Sequence, residues 1–191
     1  MLDAVHALDT RLLLAVNRAH TPVLDQVMVV VSDRNTWFPV YALLIVGLVY
    51  LYRRPAMLLL PLLILAVSLA DSITSRIFKP FFARPRPCHE PHLAPLLHLP
   101  DGCGGQFGFL SSHAANSMAL AVFLVVVLPA GRFRAGKLAV FLWALLLSYS
   151  RMYLGAHYPT DVLGGAALGA VLGWGAAVLF QRWQPRFWSP A

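Results

Sequence analysis

Charged residues are scarce in this sequence. Asp, Glu, Lys and Arg together make up only 12% of its 191 residues, while 59% are hydrophobic. Soluble domains contain about 25% charged residues. The shortage of charge therefore excludes an ordinary soluble domain and indicates an integral membrane protein, with the whole length, 1–191, as one domain. The first residues are too polar to form the apolar core of a signal peptide, so none is expected.

Five apolar stretches predict an all-α, polytopic membrane helix bundle with five spans. They cover residues 37–52, 56–78, 111–128, 138–150 and 159–180. Before them, apolar residues at helical spacing predict two short amphipathic helices, over 1–17 and 23–31, that lie in the membrane interface. We thus divide the chain into interfacial helices (1–32), a transmembrane bundle (33–182) and a cytoplasmic tail (183–191).

Acidic residues are the scarcer charged group, 8 against 15 Lys and Arg, and they are unevenly placed. With five spans, one side of the membrane holds seven basic residues and no acid: Arg53, Arg54, Arg132, Arg134, Lys137, Arg182 and Arg186. The positive-inside rule makes that side cytoplasmic. The net charge of +7 is thus a topology signal, and it gives no support for a nucleic-acid partner.

Cysteine occurs only twice, at Cys88 and Cys103, in a loop rich in Pro and Gly on the outer side. An oxidising exterior permits a disulfide between them, which for a loop of this size contributes about 3 kcal/mol, and we predict that disulfide. The same loop contains three histidines whose spacing does not match a regular metal-ligand pattern: His89, His92 and His98. We interpret them as solvated loop residues rather than metal ligands.

Three polar segments, far apart in the sequence, meet at the outer face. The first, residues 79–87, offers clustered cations, which by themselves suit contacts with lipid headgroups. The second, residues 109–117, opens a helix. There Ser111 and Ser112 are either plain helix caps or part of a phosphate site formed with the free N–H groups of the first turn.

The third segment, residues 150–161, lies between the last two spans and contains a cation, a histidine and a carboxylate. A helix beginning near Pro159 places Asp161 one turn beyond His157. That spacing fits a solvated loop with a capping Asp. It also fits a nucleophilic histidine whose tautomer is held by a carboxylate.

Together the segments supply the groups that phosphoryl transfer through a covalent intermediate needs. Lys79, Arg86 and Arg151 can neutralise phosphate oxygens, and the helix start near Ser111 and Ser112 can donate further hydrogen bonds. No metal or other cofactor is required if these groups balance the charge.

The reacting groups come from the second and third segments. His157 can attack phosphorus while Asp161 holds its other ring nitrogen, and His113 can protonate the leaving oxygen.

The segments resemble the signature of the type 2 phosphatidic acid phosphatase (PAP2) superfamily of membrane lipid phosphatases. That signature is Lys, six residues, Arg-Pro; then Pro-Ser-Gly-His; then Ser-Arg, five residues, His, three residues, Asp. The first and third motifs match without departure, at Lys79, Arg86-Pro87, Ser150-Arg151, His157 and Asp161. In the second motif Ser111 and His113 match, but Leu110 replaces the proline and Ser112 the glycine.

The resemblance implies metal-independent hydrolysis through a phosphohistidine on His157. It also implies a bacterial inner-membrane protein whose site faces the periplasm. Among family members, a small chain with an outward-facing site resembles the undecaprenyl pyrophosphate phosphatases of cell-wall biogenesis. We therefore expect undecaprenyl pyrophosphate as the substrate. The alternatives are phosphatidylglycerophosphate, phosphatidic acid or lipid A, and, in another class, non-catalytic lipid binding or transport.

Three further features leave alternatives open. Glycines at four-residue spacing in the fifth span, Gly165, Gly169 and Gly173, favour packing within the bundle over a dimer interface, and the oligomeric state is not predicted. Asp71 orients Lys79 or Arg76, or forms a structural ion pair. The N-terminal helices either shelter a lipid entrance or anchor the chain.

Overall fold

The computed structural model describes the backbone over residues 2–129 and 131–188 and the side chains over residues 4–129 and 131–184. The described part is helical: α1 (Leu2–Asn17), α2 (Pro22–Ser32), α3 (Phe38–Tyr52), α4 (Ala56–Ser72), α5 (Lys79–Phe82), α6 (Ser112–Val127), α7 (Arg134–Tyr153) and α8 (Pro159–Trp188). A 3₁₀ turn, Arg34–Trp37, precedes α3, and a π-helical segment, Ile73–Phe78, joins α4 to α5. The all-α bundle predicted from the sequence is confirmed.

Three of these helical stretches are long and apolar enough to cross a membrane: Arg34–Tyr52, Ala56–Phe82 and Pro159–Gln184. The other two predicted spans correspond to α6, which has 16 residues, and α7, which has 20 residues with basic side chains near both ends. The last helix continues to Trp188, past residue 182 where we predicted the tail to begin. The rest of that predicted tail, residues 189–191, and the side chain of Arg186 lie outside the described residues.

Helix α6 lies at the centre of the bundle, in contact with α4, α7 and α8, and α8 packs most closely along it. A Cβ atom on Gly165, Gly169 or Gly173 would overlap the carbonyl oxygens of Ser111, Ala115 and Ala119 respectively, all on the α6 side. Small residues thus let the two backbones approach directly. The glycine spacing therefore serves packing within the bundle, as predicted.

Helix α1 is amphipathic, as predicted, but its polar face does not point to solvent. Val5, Leu8 and Leu12 form an exposed apolar stripe, which suits contact with lipid. The opposite face is buried against α7 and α8, where Asp9 is only 2% exposed and Asn17 is fully buried. Asn17 donates hydrogen bonds to the carbonyl oxygens of His98 and Tyr153, because a buried amide needs partners within the protein.

The outer loop between α5 and α6 folds back on itself. An isolated bridge pairs Pro85 with Phe107, and a disulfide joins Cys88 to Cys103 with their Cα atoms 5.9 Å apart. These links hold the beginning of the loop, which contains Arg84 and Arg86, against its end.

Candidate active site

The three segments singled out in the sequence meet at one end of the bundle. Lys79 lies at the end of the α4–α5 stretch, Ser112 and His113 at the start of α6, Arg151 in the last turn of α7, and His157 just before α8. Because successive helices run in opposite directions, every one of these helix ends faces the same side. The helix ends therefore bring together residues that are up to 80 positions apart.

His157 lines the site, and Asp161 is buried next to it. The His157 side chain is 1% exposed and the Asp161 side chain is fully buried, and His157 Nδ1 lies 3.5 Å from Asp161 Oδ2. That distance is longer than an ordinary hydrogen bond, and within the described chain Nδ1 has no other hydrogen-bond partner. The same carboxylate oxygen accepts the Tyr158 backbone N–H at 3.0 Å, which fixes its orientation.

Burial keeps the His157 ring neutral. It holds the pKa of His157 well below the ordinary 6.5, and the positive charges of Arg86, Arg151 and Lys79 lower that pKa further. A neutral imidazole has a free lone pair, so His157 is available as a nucleophile at neutral pH.

Ser112 fixes the position of Lys79. Its hydroxyl accepts a hydrogen bond from Lys79 Nζ at 3.1 Å and lies 2.8 Å from Thr74 Oγ1 and 3.2 Å from Ser75 Oγ. Thr74 and Ser75 belong to the π-helical segment, and such segments often occur at functional sites. Thr74 could not be assigned to the site from the sequence, because a π-helical turn shifts the face on which a residue lies.

Two arginines bring positive charge close to His157, Arg86 from the loop before α6 and Arg151 from the last turn of α7. Arg86 is held by its Nε–H, which donates to the Phe107 carbonyl at 3.3 Å, and Gly104 packs so closely on its guanidinium that a Cβ atom would lie 2.9 Å from Nη1. Arg151 is 8% exposed, and its Nη1 donates to the Ser32 hydroxyl at the end of α2. Burial lowers the pKa of Arg86, and the Asp161 carboxylate opposes that shift.

Ser111 differs from the prediction that its side chain binds phosphate. It is fully buried and is the N-cap of α6, where its hydroxyl accepts the Ala114 N–H at 3.5 Å. Its own backbone N–H donates to the Asp161 carbonyl oxygen at 2.9 Å. Ser111 thus takes the capping role that the sequence had left open, because a buried helix start must satisfy its own backbone groups first.

A cavity of about 400 Å³ opens above these groups. Its lining includes Lys79, Arg86, Ser112, His113 and His157 from the predicted set. Arg151 and Asp161, which are also in the predicted set, are not part of that lining.

The lining of this cavity also contains groups that were not among the predicted site residues. They come from the Arg34–Trp37 turn, α3, α4 and α6, and they include Arg34, Asp71 and Asn116. Among the described residues of the lining, Asp71 is the one carboxylate. Its Oδ1 accepts the Asn116 side-chain N–H at 3.1 Å. Asp71 therefore pairs with an amide, and not with Lys79 or another cation as the sequence suggested.

Arg84 is a second unassigned group of the site. One of its nitrogens, Nη1, donates to Asp161 Oδ1 at 2.8 Å, and the other, Nη2, donates to Asp9 Oδ2 of α1 at 2.6 Å. Asp9 also accepts hydrogen bonds from the Thr160 backbone N–H, at 2.9 Å, and from its hydroxyl. The signal available in the sequence was the position of Asp9 on the helix face opposite the apolar stripe.

Two side-chain clusters among the described residues have the composition of a metal site. In one, Cys88 and Cys103 are joined in the disulfide, so their sulfurs are not thiolate ligands. The other brings together His20, Asp25 and His98, in which His98 Nε2 already pairs with Asp25 Oδ2 at 2.8 Å. Neither cluster lines the cavity described above.

Comparison with known proteins identifies the family. The model of the PAP2 superfamily matches residues 56–187. The chain is 37% identical to a lipid A 4'-phosphatase of Bacteroides thetaiotaomicron over 179 residues, which cover 91% of this chain and 77% of that protein. It is 32% identical to a lipid A 4'-phosphatase of Porphyromonas gingivalis, over 90% of this chain and 72% of that protein.

Two further similarities, both at 26% identity, are to phosphatases named for other substrates. The crystal structure of a transmembrane PAP2-type phosphatidylglycerolphosphate phosphatase from Bacillus subtilis superposes with a TM-score of 0.68 at 26% identity, covering 97% of this chain and 90% of that one. The undecaprenyl-diphosphatase BcrC of Bacillus subtilis is 26% identical, over 81% of this chain and 74% of that protein.

Proposed function

Because the chain belongs to the PAP2 superfamily of membrane lipid phosphatases, we propose that it removes a phosphate from a membrane glycolipid by covalent catalysis on His157. It is a hydrolase that acts on phosphate esters, as its relatives are. The observation that supports the mechanism is the position of His157. This buried, neutral imidazole lies next to Asp161 and lines a cavity whose lining also includes Lys79 and Arg86.

In the first step His157 Nε2 attacks phosphorus. A P–N bond forms as the P–O bond to the lipid breaks. His113, which becomes protonated when the negatively charged phosphate binds beside it, gives its proton to the leaving oxygen. The ring of the phosphohistidine then needs its Nδ1 proton, which Asp161 Oδ2 accepts in a hydrogen bond. The 3.5 Å separation is expected to shorten as charge develops, since such contacts often tighten only in the reacting complex.

In the second step water attacks the phosphohistidine. Neutral His113 takes a proton from that water, the P–N bond breaks, and inorganic phosphate leaves. Lys79, Arg86 and Arg151 neutralise the phosphate oxygens in both steps, with Ser112 and the first N–H groups of α6 as further donors. Ser111 contributes by capping the helix that positions Ser112.

The choice of lipid rests on the relatives and on one side chain. The two lipid A 4'-phosphatases match most of their own length at 37% and 32% identity, whereas the undecaprenyl-diphosphatase is only 26% identical. We therefore place a lipid A-type sugar phosphate ahead of undecaprenyl pyrophosphate, which remains the second candidate because of that relative.

Asp71 gives a chemical reason for this order. A carboxylate in a phosphate-binding cavity repels the substrate's negative charge unless it accepts a hydrogen bond from the substrate. A sugar phosphate offers hydroxyl or amide donors next to its phosphate, and a polyprenyl pyrophosphate offers none. The Asp71–Asn116 pair thus favours a headgroup rich in donors.

The distribution of basic residues indicates which side of the membrane the site faces. The site is at the membrane side opposite the basic turns near Arg53 and Arg132, so we propose that it faces the periplasm of a bacterial inner membrane. The phosphate-bearing lipid would then be taken from the outer leaflet.

Phosphate release by the purified protein tests the mechanism. Lipid A, phosphatidylglycerophosphate, phosphatidic acid and undecaprenyl pyrophosphate are compared with EDTA present, each beside the His157→Ala variant. We expect turnover that survives EDTA, disappears in the variant and is fastest on lipid A. Activity retained without His157 would contradict the mechanism, and fastest turnover of undecaprenyl pyrophosphate would favour the second substrate.

An Asp71→Asn variant tests the headgroup argument separately. It keeps the size of the side chain but removes the charge, so we expect kcat/KM to fall about tenfold on lipid A, the order of one lost charged hydrogen bond, and to rise or stay level on undecaprenyl pyrophosphate. An equal loss on both lipids would mean that Asp71 does not read the headgroup. Ser68→Ala on the same helix, outside this cavity, is the matched control.

A further inference from the structure

We propose that Asp9, in the N-terminal helix α1, is a positioning residue for the reaction, which acts by holding Arg84 against Asp161. This inference rests on the proposed role of His157. It gives α1 a part in the chemistry, whereas the sequence suggested only a lipid entrance or an anchor.

The contacts of Asp9 connect α1 to the site. Its two carboxylate oxygens accept hydrogen bonds from Arg84 Nη2, from the Thr160 backbone N–H and from the Thr160 hydroxyl. Thr160 directly precedes Asp161 in the first turn of α8. Asp9 thus fixes both the backbone next to Asp161 and the guanidinium bound to it.

Arg84 is shared between two carboxylates. Nη2 pairs with Asp9 at 2.6 Å and Nη1 with Asp161 at 2.8 Å, and its guanidinium carbon lies 4.1 Å from the centre of the Tyr158 ring. Two separate donors of one planar group therefore bind the two acids, which is the geometry that arginine makes well and lysine does not. The side chains of Asp9 and Asp161 are 2% and 0% exposed, so water cannot replace the missing partner if one is removed.

The charge balance explains why the second acid matters. One cation between two carboxylates leaves a net negative charge for the imidazolium-like ring that forms on His157 during transfer. If Asp9 lost its charge, Arg84 would be balanced by Asp161 alone, and less negative charge would be available to His157. The loss appears only when the ring becomes charged, so it should lower kcat while KM, set largely by Lys79, Arg86 and Ser112, stays level.

The test compares Asp9→Asn with Asp25→Asn. Asp25 is the matched control because it lies in α2 of the same N-terminal pair and bonds to His98 and Tyr153, away from Arg84. Both proteins are checked for folded fraction by gel filtration and thermal unfolding. We expect Asp9→Asn to lower kcat about tenfold or more with KM within about twofold, and Asp25→Asn to keep both values.

A double variant, Asp9→Asn with Arg84→Gln, separates charge balance from anchoring. If Asp9→Asn lowers kcat because the charge of Arg84 is left unbalanced, removing Arg84 as well should lower kcat no further. The two single effects would then be far from additive. Additive losses, or a fall in kcat that merely follows the folded fraction, would overturn the proposal.

Orthovanadate supplies a readout that does not depend on the substrate. It can bind a histidine nitrogen in a geometry like that of the transferring phosphoryl group, while inorganic phosphate binds without that bond. We expect Asp9→Asn to weaken vanadate binding, measured by thermal shift, and to leave phosphate binding unchanged. Equal vanadate affinities in the wild type and Asp9→Asn would overturn the proposal even if no tested lipid were hydrolysed, an outcome that would count separately against the proposed function.

Discussion

At the scale of single residues, the site is defined by which polar groups are buried. His157, Asp161, Ser111 and Asp9 are all at most 2% exposed, and each has a different reason to be there. Ser111 is buried as a helix cap, Asp9 as a partner of Arg84, and His157 as the neutral ring that the proposed attack requires. Burial of the His157 ring also makes the stability of the protein depend on pH, and this dependence can be measured apart from activity.

Acid should destabilise the protein through His157. The unfolded chain binds a proton at this residue below its ordinary pKa of 6.5, and the folded protein, whose His157 pKa is well below that value, does not. The free energy of unfolding therefore falls as pH decreases below 6.5, by up to about 1.4 kcal/mol per pH unit until the folded pKa is reached. Above 6.5 this contribution is fully present.

The measurement is the thermal midpoint of the wild type and His157→Gln at neutral pH and at about pH 5. We expect the wild type to lose more stability on acidification than the variant, while a change at the exposed His92, such as His92→Gln, leaves the wild-type behaviour unchanged. Parallel pH dependence in all three proteins would argue against a neutral buried His157.

At the scale of elements, the contact between α6 and α8 positions both ends of the reaction. One helix begins with Ser112 and His113 and the other contains Asp161 in its first turn. The glycine row of α8 and the carbonyl groups of α6 set the separation of the two helices, so the separation of the reacting groups depends on residues well below the site.

A methyl group on Gly169 should therefore damage the bundle. Its Cβ would overlap the Ala115 carbonyl oxygen, and a backbone atom cannot move aside as a flexible side chain can. We expect Gly169→Ala to cost about 2 kcal/mol or more, as overpacking does, with a clear drop in the thermal midpoint. Gly175→Ala is the control on the same helix, because a Cβ there meets nothing within 4 Å; equal midpoints for the two variants would contradict this packing.

The outer loop is the second element that shapes the site, since it contains both Arg84 and Arg86. The Cys88–Cys103 disulfide closes part of this loop next to Gly104, which packs on the Arg86 guanidinium. Reduction should lower stability by about 3 kcal/mol, the value for a loop of this length, and should lower phosphatase activity as Arg86 loses its support.

Mass spectrometry without reductant, together with thermal unfolding with and without dithiothreitol, checks this expectation. The double variant Cys88→Ser with Cys103→Ser should be insensitive to the reductant. Two free thiols in the untreated protein would show that the bond is not formed in the cell.

At the scale of the whole molecule, the helix ends divide the protein into two chemically different faces. One face contains the site, the outer loop and the N-terminal helices. The other contains the turn at Arg53 and Arg54 and the turn at Arg132 and Arg134. This asymmetry predicts which face meets the cytoplasm.

Labelling in intact cells tests the orientation. In a background with Cys88→Ser and Cys103→Ser, single cysteines are introduced by Leu96→Cys on the outer loop and by Arg54→Cys on the opposite face. Both positions are exposed. We expect a membrane-impermeant maleimide to label Leu96→Cys in intact cells and Arg54→Cys only after lysis; the reverse pattern would place the site in the cytoplasm.

Features that depend on neighbours along the chain could be predicted from the sequence alone. Apolar runs located the bundle helices, although α8 continues to Trp188, past the predicted end at 180. Motif spacing selected Lys79, Arg86, His113, Arg151 and His157, which the structure brings to one end of the bundle. The helix predictions succeed because helix formation is local, and a one-turn offset such as that between His157 and Asp161 is local too. The roles of these residues in phosphate binding and catalysis stay predictions. The four-residue spacing of the three glycines in α8 is also local in the sequence, so it could indicate close helix packing.

Which distant groups share a partner could be seen only in the folded protein. Asp9 is 75 positions from Arg84 and 151 from Thr160, and Asp71 is 45 positions from Asn116. Helical periodicity shows that α1 has a polar face but not what removes it from water. A buried charge is tolerated only when a complementary group meets it, and that group is supplied by the folding of the outer loop and α8 onto α1.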